Sequence, residues 1–424
     1  MIKKRNFKSI VATGVIALAS ATLLAACGSK STSSKDEINW YTPTEILTLD
    51  VSKNTDHYSA LAIGNSESNL LRVDKNGKLQ PDLAEKVDVS ADGLTYTATL
   101  RDDLKYSDGT KLTAEDFVYT WQRMVDPATA SEYAYLASDS HLVNAADIIA
   151  GKKSVEELGV KAEGNKVIFT LSNPSPQFKS LLSFSNFVPQ HKEFVEKTGK
   201  QYGTKSDKQI YSGPFKVENW NGTSGSFKLV KNDNYWDAKH VKTKTINIQT
   251  VKKPDTAVQM YKQGQLDFAS ISSTSAIFNS NKKNKDVVTV PEATTSYMTY
   301  NETGKVKGLD NLKIRQALNL ATDRKGIVEA AVDTGSVPAT SLVPTGLEKL
   351  PDGTDLSKYV APGYSYNKEE AAKLFKEGLA EAGLSDLKLT ITADSDSPVS
   401  KAAVDYIKET WEKALPGLTV EENL

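Results

Sequence analysis

The sequence predicts an α/β protein of two or three domains. Strand-like alternation and helix-like periodicity interleave from residue 38 to the end, and no repeat of fixed period is present. The 424 residues exceed one domain of ordinary size, roughly 100 to 200 residues. A composition of 39% hydrophobic and 25% charged residues supports packed cores and excludes wholesale disorder. With 52 basic against 53 acidic residues, no net field draws the chain to nucleic acid or to an anionic surface. A single cysteine excludes an internal disulfide.

The first element is a targeting segment. Lys3, Lys4, Arg5 and Lys8 precede an apolar run from Ile10 to Leu24, which is short for a membrane span. It ends in Leu24-Ala25-Ala26-Cys27-Gly28, which resembles the lipobox of bacterial lipoproteins, where cleavage before the cysteine leaves a lipidated thiol. An ordinary secretory signal is the alternative. Residues 1–26 are thus expected to be a signal peptide, Cys27 the lipid attachment point, and 27–37 a flexible polar tether.

INWYTPTEILTLD (38–50) suits a strand and a following loop, and 54–74 a loop and then a helix. In 87–101, Leu94, Tyr96, Ala98 and Leu100 share one face and Asp92-Gly93 makes the turn, so a hairpin strand is predicted. A second Asp-Gly turn at 108–109 precedes a helix with Thr113 as N-cap and Asp116 at its third position. Phe117, Trp121 and Met124 form the inward face of that helix. Residues 164–172 read as a strand stopped by Asn173-Pro174, 210–220 and 227–237 as a strand pair, and 245–251 as a strand. The helix DTAVQMYKQGQ and the short apolar LDFAS follow. From Leu312 the chain reads as one helix through KIRQALNLATDRKGIVEAAV, then a loop to about Tyr366 and a helix over 369–383. The strand LKLTITAD, the helix AAVDYIKETWEKAL and a strand begun by LTVEENL complete the chain.

No catalytic pattern stands out. His57, His141, His191 and His240 are scattered without HExxH spacing, and no GxSxG or phosphate-cradling glycine loop occurs. Ser280-x-x-Lys283 lies in a polar run without partner motifs, and Asp394-x-Asp396 lacks the rest of a calcium loop. The acidic pair Asp102-Asp103 is of a kind common on surfaces. The reading therefore tilts toward binding, with no cofactor, no metal and no enzyme activity expected.

The stretch PDLAEKVDVSADGLTYTATLRDDLKYSDGTKLTAEDFVYTWQRMVDPATASEYAYL (81–136) resembles the extracellular solute-binding proteins of peptide importers, close to the oligopeptide-binding proteins. ELGVKA, SGPFKVENW with NDNYWD, GQLDF, LKIRQALNLATDRKGIV and VPAT extend the resemblance over 38–424. It implies a two-lobed, periplasmic-binding-protein-like type II fold with an extra domain inserted in the first lobe. Residues 38–67 and 191–293 would form lobe I, 68–190 the inserted domain and 294–424 lobe II. It also implies a lipid-anchored receptor on the outer face of the cell membrane, acting as a monomer, that hands oligopeptides to ABC transporter permease subunits. Ligand-lining positions carry over to Thr55, Asp56, His57, Tyr133, Ser270, Ser272 and Tyr297. A dipeptide, signalling-peptide, nickel or haem binder remains possible within the family. A secreted hydrolase using dispersed acidic residues, or a surface adhesin, are the alternatives outside it. Family members usually continue past the point where this chain ends, so the second lobe is expected to be incomplete, with an exposed edge and weak stability or binding.

Overall fold

The computed structural model describes residues 36–424 apart from 291, 351, 360–362, 364 and 396. The signal segment, Cys27 and most of the tether lie outside the described residues, as does Asp396. The chain divides into two compact units, one ending at Ala269 and the other running from Ser270 to Leu424.

In the first unit, strand β1 (Glu37–Thr42) leads through a long loop into helix α1 (His57–Ser66). A hairpin of β2 (Leu71–Val73) and β3 (Leu79–Pro81) precedes β4 (Ala84–Val89) and β5 (Thr95–Leu100). Helix α2 (Ala114–Val125) and the short α3 (Tyr135–Asp139) follow, then β6 (Val160–Glu163) and β7 (Lys166–Thr170). Helix α4 (Lys192–Thr198), strands β8 (Phe215–Glu218), β9 (Ser226–Lys231) and β10 (Thr245–Thr250), and helix α5 (Pro254–Lys262) complete it.

Two large cores lie in this unit, beside a small cluster of Tyr41, Val251, Ala257 and Leu266. One is built on an antiparallel sheet of order β4-β5-β7-β6. Tyr96, Ala98 and Leu100 of β5 point inward, the alternation that its sequence carries. Thr113 begins α2, and the Asp116 carboxylate reaches back to accept from the Thr113 backbone N–H at 2.7 Å. That turn directs Phe117, Trp121 and Met124 into the core, all fully buried. The Trp121 ring stacks on Phe187 at 4.0 Å and meets Phe169 and Phe178 at 5.2 and 5.6 Å.

The second core sits under a mixed sheet of order β1-β10-β9-β8, in which only β1 and β10 are parallel. Phe215, Val217, Phe227, Leu229 and Ile248 supply its sheet face, and α1 packs there through Ala62 and Ile63. Strand β8 is shorter than the predicted 210–220. Pro214 has no N–H to give a ladder, and Gly213 lies flat on the α1 terminus, where a Cβ would stand 2.7 Å from Glu67 backbone atoms. Asp82, ahead of β4, is tied to the segment that follows β9. One of its oxygens accepts from the Tyr235 hydroxyl at 3.0 Å and the Trp236 indole at 2.8 Å, while Arg101 lies 3.7 Å over the Trp236 ring.

The second unit contains α6 (Ser275–Asn281), α7 (Leu312–Ala321), α8 (Lys368–Glu381), β11 (Leu387–Thr392), α9 (Pro398–Ala414) and β12 (Leu418–Asn423). Strands β11 and β12 pair in parallel across α9, a βαβ arrangement. The helix predicted from Leu312 through Val332 is broken. It stops at Ala321, and Asp323 caps a new turn by accepting from the Gly326 N–H at 2.9 Å. The chain then winds as a π-helix from Ile327 to Val332. A Cβ on Gly326 would lie 2.0 Å from the Tyr406 hydroxyl, so the glycine leaves room for that side chain. The division after Ala269 places residues 270–293, read from sequence as lobe I, with the second unit. There Asn279 donates to the Asp333 carboxylate and Phe278 lies against Gly335.

Candidate functional site

The loop from Pro43 to Asp56 has little regular structure, yet it is held from several directions. Asp50, almost fully buried, receives Nη1 and Nη2 of Arg123 from α2, both at 2.7 Å. Burial is the largest influence and acts against the guanidinium charge, but the bond to Asp50 and the attraction of the surrounding acidic groups, Asp50 first, together outweigh it and leave the Arg123 pKa raised. Arg123 also donates to the Gln190 side-chain oxygen at 2.8 Å, and Gln190 passes a bond on to Ser52 Oγ at 2.9 Å. The buried Asn186 amide donates to the carbonyls of Val51 and Asn54 at 2.8 and 2.9 Å. Gly203 approaches so closely that a Cβ would stand 2.2 Å from Asp50 N.

Out of this fixed base rise the predicted residues Thr55, Asp56 and His57. Asp56 caps α1 by accepting from Ser59 N at 2.7 Å, and Ser59 Oγ in turn accepts from Leu47 N at 2.8 Å. Thr55 and His57 stay exposed, and the His57 ring meets Tyr58 edge-on at 5.1 Å. The chain therefore presents two solvent-facing side chains on a loop whose carbonyls and cap are immobilised behind them.

Tyr133 lies just before α3, half-buried, its ring edge-on to Phe184 at 5.6 Å and tilted against the exposed Tyr135 at 6.3 Å. Phe184 begins the short segment that carries Asn186. One stretch, 184–186, therefore supports both Tyr133 and the 51–54 base, which relates Tyr133 to the 55–57 loop within the first unit.

The other three predicted residues belong to the second unit. Ser270 and Ser272 bond to each other through their hydroxyls at 3.1 Å. Tyr297 is 71% exposed on an irregular stretch, where nearby Thr295 donates to the Leu342 carbonyl at 3.1 Å.

Sequence reasoning missed the supporting residues Asp50, Arg123, Asn186, Gln190 and Gly203. Arg123 stands inside the long signature stretch, but no local pattern pairs it with an aspartate 73 positions away. Among the described residues no cluster of metal-ligating side chains occurs, and no helix is long and apolar enough to cross a membrane.

A family description, bacterial extracellular solute-binding proteins, family 5 Middle, matches residues 78–423. The chain is 45% identical over 431 residues to the dipeptide-binding protein of Lactococcus lactis, covering 99% of this chain and 77% of that protein. It is 32% identical over 406 residues to the oligopeptide-binding protein OppA of Bacillus subtilis, covering 93% and 72%. Among solved structures it is similar to peptide-bound OppA of Listeria monocytogenes, with a TM-score of 0.83 at 35% identity over 92% of this chain and 77% of that one.

Proposed function

The chain belongs to the bacterial extracellular solute-binding proteins of family 5, and from that premise we propose that it captures short peptides outside the cell and delivers them to the permease of an ABC importer. The observation that carries this reading is the agreement in sequence and fold, over 92% of the chain, with a relative solved with peptide bound. Capture of varied peptides needs groups that pair with main-chain N–H and C=O, which every peptide has, and hydrated pockets that tolerate many side chains. Thr55, Asp56 and His57 on their fixed base, with Tyr133 joined to that base through 184–186, suit that task in the first unit. Ser270, Ser272 and Tyr297 are assigned to it in the second. The protein performs no chemistry on its ligand, acts as a monomer, and is held to the outer face of the membrane by lipid on Cys27. The chain up to Ala269 serves as first lobe, with residues 68–190 as its inserted domain, and residues 270–424 serve as second lobe.

The ligand is a peptide of two to several residues, and the 45% identity to a dipeptide-binding relative supports the short end of that range. Calorimetry with a random peptide mixture, followed by mass spectrometry of what stays bound, tests the reading. Unmodified peptides retained on the protein are expected. Cleaved products would instead mark a hydrolase, and failure to retain any peptide alongside tight host-surface binding would mark an adhesin.

A further inference from the structure

The sheet β1-β10-β9-β8 turns one face to α1, and strand alternation puts Ser226, Lys228, Asn247 and Gln249 on the opposite face. There Ser226 stands across from Gln249, and Lys228 across from Asn247. Together with Asn219 and Ser224 of the β8–β9 turn, these residues line a cavity of about 400 Å³. That volume falls within the roughly 300–1,000 Å³ of small-ligand sites. The two other lining residues, Phe227 and Ile248, keep their side chains in the core beneath. The rim is held on every side. Asn221 Oδ1 accepts from Thr223 N and Ser224 N at 3.1 and 2.8 Å, and Trp220 O accepts from Ser206 N and Oγ at 2.9 and 3.0 Å. Thr250 N donates to Gly225 O at 2.6 Å, which joins the turn to the end of β10. Asn219 is fixed in the left-handed region at φ 64°, and a Cβ on Gly222 would stand 2.8 Å from Thr204 O.

The floor departs from what a strand ordinarily carries. Asparagine is depleted from strands, yet Asn39 and Asn247 face each other on β1 and β10, and β10 is an interior strand. Departures of this kind belong to functional surfaces. The Asn247 amide donates to Asn39 Oδ1 at 3.1 Å, whereas the side chains of Gln249 and Lys228 have no partner among the described residues. Lys228 is the single charged residue of the lining. Glu218, across from it on β8, is bonded to Lys216 at 3.4 Å, which leaves the Lys228 ammonium for an outside anion. A ligand that gives up water to enter such a lining must replace hydrogen bonds in both directions. Sugar hydroxyls donate and accept, as amide and serine side chains do, and the cavity takes about one or two sugar rings. We propose that this cavity is a second binding site, for a saccharide that carries a carboxylate or phosphate. It lies on the sheet face away from α1 and does not rest on the peptide-receptor reading.

Calorimetry on the full chain with glucuronate, glucose 6-phosphate and glucose tests it. Both acidic sugars should bind saturably with a Kd of about 1 mM, and glucose more weakly. Lys228→Met should weaken the acidic sugars about tenfold and leave glucose unchanged, while Gln249→Val should weaken all three about fivefold. Both side chains project away from the core, and unchanged thermal melting of each variant checks that the fold is kept. A random peptide mixture in excess should not displace the sugars. Absence of saturable binding up to about 10 mM, equal binding by wild type and both variants, or displacement by peptides overturns the proposal. Co-sedimentation with insoluble cell-wall glycan, lost in Lys228→Met, would mark a polymer-borne sugar, and binding of the free sugars alone a soluble one; either supports the site. Because the sugars are titrated without peptide, failure of the peptide-receptor reading would leave this result standing, and the reverse.

Discussion

Arg123 and Asp50 form a bidentate pair with side-chain exposures of only 13% and 5%. Removing one partner leaves the other charge buried and unpaired, so Arg123→Met is expected to cost about 3–5 kcal/mol in urea denaturation. Adding Asp50→Asn should recover part of that loss, the coupling expected of directly bonded groups. Glu67, whose carboxyl accepts from Ser212 at the end of α1, gives a pH signature. Burial raises its folded pKa to about 8, above the ordinary 4.5, so the folded protein keeps a proton that the unfolded chain has released. Stability should therefore fall as pH rises from 4.5 toward 8, by up to about 1.4 kcal/mol per pH unit, and level off above. Denaturation of Glu67→Gln over the same range should lack that slope. It should retain only the smaller one below pH 6 from Asp116, whose carboxyl burial lifts to about 6. Tyr133→Ala should weaken peptide binding about tenfold in calorimetry, the loss expected of one aromatic contact. Neither the Arg123 pairing nor the Glu67 environment was legible in the sequence. Both depend on side chains 73 and 145 positions apart meeting in a space that only the packed chain excludes from water.

Among the elements, α2 and β5 were the most legible, because each carries its own pattern. The Thr113 cap with Asp116 fixes where the helix starts, and its period sets Trp121 inward. Trp121→Ala removes a fully buried ring from three aromatic partners and is expected to cost about 3–5 kcal/mol. Elements bounded by tertiary contacts were less legible. The predicted helix from Leu312 to Val332 has an unbroken helical period, yet Asp323 caps a new start by accepting from the Gly326 N–H. Strand β8 shortens for a similar reason, since Gly213 must lie against the Glu67 backbone. Gly213→Ala should lower stability by about 1–3 kcal/mol in thermal denaturation, because backbone rather than a movable side chain receives the new methyl.

For the whole molecule, the targeting reading makes a prediction of its own. Cys27→Ala should shift the protein from the membrane fraction to the soluble fraction, and unchanged retention would remove the lipid from the account. What the sequence by itself determined was the α/β class, most strands and helices in order, the family resemblance, and a set of positions for ligand contact. These are encoded locally, in alternation, caps, turns and a long ordered signature. Only the tertiary structure decided where compact units divide, with residues 270–293 joining the second because Asn279 and Phe278 meet the segment at 333–335. It alone supplied the base beneath Thr55, Asp56 and His57, and the buried carboxyl at the far end of their helix. Those features exist only once distant residues share one water-free space, where a charge must find its partner or lose its proton.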